Sequence, residues 1–275
     1  MLPVYQAKRF HRILSEGGFS KPWLVEVEVE GVSPFFVMKV YTTEHIEARN
    51  CVTAEVVGHL LACAFDFKTP NAALIEVESE TFRMSLPHNA GLLLDTSVDE
   101  RIKFGTTYID GVAQANVNQP LSEYEPSFLD TLYAFDNFIR NEDRRQRNPN
   151  LLQEISTGEM VLIDHGLALQ DVNRKNISSL LEEITTEQWR DKMQNLTLNH
   201  FAYPYLSIGN AKEKSEYFDT FAFYLKLLDI SVIHTYLSQL EKYGYHTEKE
   251  SILSYFSFIK KNASLFIKML KQSIK

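Results

Sequence analysis

A chain of 275 residues, 44% hydrophobic and 23% charged, has the composition of an ordinary folded protein, which excludes a disordered or low-complexity polypeptide. Its formal net charge of −8 excludes a surface that draws in DNA, RNA or an anionic bilayer by charge alone, so no nucleic-acid partner is expected. There is no run of about 18 apolar residues to predict a membrane span, and Met1 to Gly18 lacks the apolar stretch of a secretory leader, so the expectation is a cytoplasmic protein.

The first eighty residues alternate as strands do. Trp23 to Val29 sets Trp, Leu and Val between charges, and Pro34 to Tyr41 reads PFFVMKVY. Gly17-Gly18 precedes the first of these, and Glu30-Gly31 supplies the turn between them. Val52, Val56, Leu60 and Cys63 recur at helical spacing and predict a helix over about Ile46 to Phe65, in which Cys51 and Cys63 stand too far apart to bond. Strands are expected at Ala72 to Val77 and Thr81 to Ser85, so the first hundred residues read as a small sheet with a single long helix.

After Asn118-Gln119-Pro120 the period becomes helical. Phe128, Leu129, Leu132, Phe135, Phe138 and Ile139 share one face of a segment ending near Arg140. Asn150 to Ile155 and Met160 to Ile163 read as short strands around Ser156-Thr157-Gly158, and most of the remainder as helix. Thr247 followed by Glu250 predicts a capping box for the last helix. Lys260, Lys261, Lys268, Lys271 and Lys275, weighed as a membrane or partner surface, read better as its solvated face, with Leu265, Phe266 and Met269 inward. The change of period divides the chain into 1–115, a sheet plus one helix, and 116–275, mostly helical.

The chemistry concentrates in FDNFIRNEDRRQRNPNLL, where the helix over Phe135 runs into a polar loop and then a strand. Asp143 and Asn148 are five residues apart there. Phosphoryl transfer uses a carboxylate to orient or deprotonate the acceptor hydroxyl and an amide oxygen to hold Mg²⁺, and a loop after a helix supplies both at this spacing in kinases. The apolar strand Val161-Leu162-Ile163 then delivers Asp164 into Asp164-His165-Gly166, a second hard oxygen ligand suited to Mg²⁺. Upstream, Lys39 sits in the apolar FFVMKV, an unusual place for a cation unless it is paired. Glu55 on the following helix is its natural partner, and Glu47 the alternative. Each element alone is a weak signal; their order along the chain is what points to a kinase.

At these residues the sequence resembles the HipA-like kinases, above all their short stand-alone members. The likeness runs from SEGGFSKPWLV through FFVMKV, AEVVGHLLACAF and FGTTYIDG to VLIDHGLAL, roughly residues 15 to 170. It implies an α+β, bilobal protein-kinase-like fold, with a small β-rich N-lobe and a larger helical C-lobe. By the same resemblance Asp143 is the catalytic aspartate, Asn148 and Asp164 hold Mg²⁺, and Lys39, supported by Glu55, meets the ATP phosphates. FGTTYIDG would seat adenine near Tyr108 and Ile109, and Gly17 and Gly18 would begin the phosphate-covering turn. The implied acceptor is a Ser/Thr hydroxyl on a protein, and the family's link to toxin-antitoxin systems implies an antitoxin or regulatory protein partner. Asn141 to Arg144 and Ile163 to Gly166 are also similar to the Asn-x-Asp-Arg loop and Ile-Asp-x-Gly turn of type II phosphatidylinositol 4-kinases.

Overall fold

The computed structural model describes residues 1–14, 22–116, 118–120, 123–125, 127–174 and 193–274, so Gly17 and Gly18 lie outside the described residues. The N-terminal part is sheet-rich: β1 (Val4–Ile13), β2 (Trp23–Val27) and β3 (Phe35–Met38) precede α1 (Thr43–Arg49) and α2 (Cys51–Ala64), and β4 (Ala72–Glu76), α3 (Glu80–Ser85), α4 (His88–Thr96) and β5 (Lys103–Thr107) follow. The five strands close into a barrel in the order β1-β2-β3-β5-β4, antiparallel throughout except where β1 meets β4. Alternate residues point inward, among them Trp23, Val25 and Val27, Phe36 and Met38, and Ala73 and Ile75. Phe82, Ala90 and Leu94 from α3 and α4 pack into the same core.

Helix α1 is capped by Thr42, whose hydroxyl accepts from the His45 N–H at 3.2 Å. Asn50, at φ 53 and ψ 37, then turns the chain into α2, a left-handed conformation that asparagine tolerates better than most residues. Helix α2 is buried on nearly every side, because it lies between the barrel and the helices that follow.

The C-terminal part begins with β6 (Val112–Gln114), α5 (Phe128–Ile139), β7 (Leu151–Glu154) and β8 (Met160–Leu162), in which β6, β7 and β8 form an antiparallel sheet. Every residue of α5 from Leu129 to Ile139 is buried, and Phe135 and Phe138 each pack on Phe65 of the N-terminal part with ring centroids 5.6 Å apart. Each such side chain contributes about 1.5–3 kcal/mol relative to an exposed one. Removing one, as in Phe138→Ala, costs about 3–5 kcal/mol once the cavity is included. Helices α6 (Gln170–Arg174), α7 (Tyr203–Ser207), α8 (Ala211–Glu216), α9 (Asp219–Leu227), α10 (Ser231–Lys242), α11 (Lys249–Lys261) and α12 (Ala263–Ser273) complete the described chain.

Helix α10 returns to brace α2. Leu240 and Tyr245 share a core with Val52, Val56 and Phe104. The Gln239 amide clasps both backbone groups of Leu2, accepting from its N–H at 2.9 Å and donating to its carbonyl at 2.8 Å. Among the described residues no helix is long and apolar enough to cross a membrane.

Several expectations change. Thr81 to Ser85 is helix rather than strand: the Ser79 hydroxyl caps it by accepting from Phe82 N–H at 3.2 Å, with Phe82 inward and Met84 exposed. Among the described residues the N-terminal part therefore carries four helices, not one, and its small sheet closes into a barrel. Lys39 lies one residue beyond β3, its N–H still bound to the Phe104 carbonyl at 2.8 Å. The Thr247 capping box is absent. Thr247 donates its hydroxyl to Glu241 at 2.9 Å instead, and α11 is entered through Glu248 at φ 50. The terminal helix is two helices separated at Asn262, and Lys260 and Lys271 on them donate to the Leu228 and Ser215 carbonyls.

Candidate active site

A cavity of about 610 Å³ opens between the barrel and the helical part, within the size range of small-molecule sites. Lys39, Glu55, Tyr108, Ile109, Asp143, Asn148 and Asp164 all line it. Residues far apart in sequence thus share one cleft, because β3, α2, β5, the loop after α5 and the end of β8 all abut it.

On the barrel side Lys39 is held between two carboxylates, 3.2 Å from Glu55 and 2.7 Å from Asp164. Glu47, the alternative partner, lies exposed on α1. Glu55 is nearly saturated: one oxygen accepts from Tyr41 O–H at 3.1 Å as well as meeting Lys39, and the other accepts from His165 N–H at 3.0 Å. Burial pushes the Glu55 carboxyl up to about 7 against the opposing pull of Lys39. For Asp164 the balance reverses. Burial would raise it, but Lys39 holds it down at about 2, with its side chain still 35% exposed to the cleft. Burial lowers the Lys39 ammonium, yet the two carboxylates outweigh it and keep that charge above its usual range.

Two glycines allow this approach. A Cβ on Gly58 of α2 would lie 2.4 Å from the His165 Cβ, and one on Gly166 would lie 2.7 Å from the Tyr41 hydroxyl. Bulk at Gly58 drives α2 away from the Asp164-His165-Gly166 turn, and bulk at Gly166 displaces the Tyr41 hydroxyl and crowds Glu55. Burial keeps both His165 and His59 neutral, at about 3 and about 4.

On the helical side Arg140 ends α5 at φ 59, and the chain enters the loop carrying Asp143. One Asp143 oxygen accepts from the amides of Asn148 and Asn150, each at 3.0 Å, and the other from the Arg145 guanidinium at 2.8 Å. Because Asn148 spends its NH₂ on Asp143, its carbonyl oxygen is the end left for a cation.

Beneath this loop lies a wholly buried network. Arg144 donates to Asp136 at 2.7 Å, to the Pro149 carbonyl at 3.1 Å and to the Asn150 carbonyl. Asp136 also accepts from Asn141 at 3.0 Å and from His200 Nε2 at 3.0 Å. The Ala202 N–H donates to His200 Nδ1 at 3.1 Å, which fixes the proton on Nε2. Burial would raise the Asp136 carboxyl, but Arg144 and His200 hold it below the usual carboxylate range.

Sequence reasoning missed Asn150, Asp136, Arg144 as a loop anchor, and His200. One signal was present. Asp136 falls between Leu132 and Ile139 on the apolar face of α5, where a charge requires a buried partner. Tyr108 offers less than expected, since the Phe35 carbonyl takes its N–H at 2.9 Å.

Among the described residues no three His, Cys, Asp or Glu side chains gather to form a metal cage. Asp164 and the Asn148 carbonyl oxygen suit Mg²⁺, which commonly takes one or two protein oxygens and fills its other positions with water and phosphate.

The model of the HipA-like kinase family matches residues 11–203. Among solved structures, the Helicobacter pylori proinflammatory kinase CtkA superposes with a TM-score of 0.54 at 11% identity, over 100% of this chain and 98% of that one. At that identity the likeness shows the fold, a kinase fold. No curated protein matches the sequence.

Proposed function

Because this chain belongs to the HipA-like kinase family, we propose that it is an ATP- and Mg²⁺-dependent phosphotransferase acting on Ser/Thr hydroxyls of a protein. The observation that carries this reading is the meeting of Lys39, Glu55, Asp143, Asn148 and Asp164 around one cavity. The barrel part, 1–115, serves as the smaller lobe over the nucleotide, and 116–275 as the larger lobe. Tyr108, through its carbonyl, and Ile109 would meet the adenine edge, and Gly17 and Gly18, outside the described residues, are assigned to the phosphate-covering turn.

In the resting cleft Lys39 neutralises Asp164. With phosphates in the cleft, Lys39 would turn to their oxygens while Glu55 keeps it in place, and the freed Asp164 and the Asn148 carbonyl are the groups that would hold the cation. Mg²⁺, when bound, supplies positive charge against the phosphate oxygens. Asp143 orients the acceptor hydroxyl and takes its proton as the acceptor oxygen bonds to the γ-phosphorus and the bond to the ADP oxygen breaks. The Asn148 and Asn150 amides together keep Asp143 aimed, and the Asn148 carbonyl oxygen would remain free to hold the cation. Most of the acceleration comes from charges already fixed in place.

The test is incubation of the purified protein with Mg²⁺ and γ-labelled ATP, with and without cell lysate, beside Asp143→Asn. Label reaching a protein Ser or Thr and vanishing in the variant is the expected result. Saturable ATP binding with no transfer would overturn the reading in favour of a non-catalytic nucleotide-binding module.

A further inference from the structure

The loop that carries Asp143 also carries two exposed arginines, and their setting is specific. Arg145 and Asn148 exchange backbone hydrogen bonds, N–H to carbonyl in both directions at 3.0 Å, which makes a tight hairpin with Gln146 and Arg147 at its tip. Gln146 pins that tip to the strip before His200: its N–H donates to the Asn199 carbonyl at 3.1 Å and its side chain to the Leu198 carbonyl at 3.2 Å. Arg145, with its side chain 47% exposed, and Arg147 on the solvent side flank this anchor. Arg147 makes no ion pair among the described residues. Among the described residues, the acidic groups of the loop are Asp143, already on Arg145, and the half-buried Glu142, which accepts from Asn195.

We propose that this hairpin reads the acceptor and that the acceptor is an acidic peptide, a Ser or Thr flanked by Asp or Glu. The inference rests on Asp143 being the group that meets the acceptor hydroxyl. In the resting protein the Arg145 guanidinium covers one oxygen of Asp143 at 2.8 Å. A hydroxyl arriving there must displace it. An acceptor that brings its own carboxylate gives Arg145 a new partner as it takes the old one, so the exchange strands neither charge. Arg147, two residues further along the same rigid turn, extends the reading to a second acidic side chain. Extended chain advances roughly 3.3 Å per residue, so the two guanidiniums span acidic positions within about two or three residues of the hydroxyl. A peptide suits this surface better than an anionic bilayer, because two cations on one hairpin tip stand on a chain of net charge −8 that repels a charged plane.

Binding tests this separately from catalysis. Fluorescently labelled Ser peptides flanked by Glu, by Ala or by Lys are titrated with the full chain in Mg²⁺ and a non-hydrolysable ATP analogue, and again with Arg147→Glu. The Glu peptide is expected to bind roughly 3- to 10-fold tighter than the Ala peptide, the size of one or two exposed ion pairs. Arg147→Glu should reduce that preference and favour the Lys peptide, and added salt should weaken it. Equal binding of the three peptides, preference for Lys in the wild type, or no binding of any peptide would overturn the proposal. A Glu peptide that binds selectively yet never receives label would overturn phosphate transfer and leave the acidic reading standing.

Discussion

Two ionic clusters flank the same loop, and they are near mirror images. Lys39 is one cation between two carboxylates, Glu55 and Asp164. Asp136 is one carboxylate between Arg144 and His200. The difference is access. Arg144, Asp136 and His200 are all fully buried, whereas the Asp164 side chain is 35% exposed to the cleft. A cluster closed off from solvent has no route to exchange partners with a ligand and can only hold the loop still. A cluster opening on a cavity can trade partners, which is what chemistry on a charged substrate requires.

The largest expected effect separates the two. Lys39→Met should lower phosphate transfer by ~10²–10⁴-fold, the range for a group acting on transition-state charge, and weaken nucleotide binding. Its urea midpoint should move less than that of a change in the closed cluster, because burial already favours a protonated Glu55 and the Asp164 side chain opens to the cleft. Arg144→Ala should do the reverse first: urea unfolding should show a loss of about 3–5 kcal/mol, as when one partner of a buried pair is removed. A milder probe is Asn150→Ala. It removes one of the two amide bonds to Asp143 and should reduce kcat roughly 10-fold with KM nearly unchanged, read from initial rates at saturating ATP.

The smallest effect has opposite signs in the two clusters. The Asp136 carboxyl is held below its ordinary value, so its stabilisation is present above that value and is lost as pH falls through the folded pKa. Glu55 is raised to about 7, so its contribution is present below its ordinary 4.5 and is lost as pH rises through about 7. Urea midpoints between pH 3 and pH 8.5 should therefore slope down at the acid end less steeply in Asp136→Asn. Between about pH 4.5 and pH 7 they should fall less in Glu55→Gln than in the wild type.

The sequence was legible where local order carries the information. Lys39 after an apolar strand, Glu55 on the next helix, and Asp143 and Asn148 on one loop each announce themselves within a few residues, and the structure brings them to one cleft. The helix over Phe128 to Ile139 was legible for the same reason, a period of apolar side chains ending at Arg140. What the sequence hid depends on distant partners. Asp136 is satisfied by His200, 64 residues on, and α2 is braced by α10 and by Gln239 on Leu2, 237 residues apart. Thr81 to Ser85 was misread because five alternating residues fit a strand or a capped turn of helix equally well, and Ser79 decides it. Barrel closure rests on β1 pairing in parallel with β4, a long-range register that no local pattern encodes.

If the cleft cluster serves chemistry, Asp164→Asn must abolish it while leaving the fold intact. Transfer of labelled γ-phosphate is measured for wild type and variant at matched urea midpoints. A loss of at least ~100-fold is expected, since the amide keeps the shape but not the charge. An unchanged transfer rate in a folded Asp164→Asn protein would contradict it.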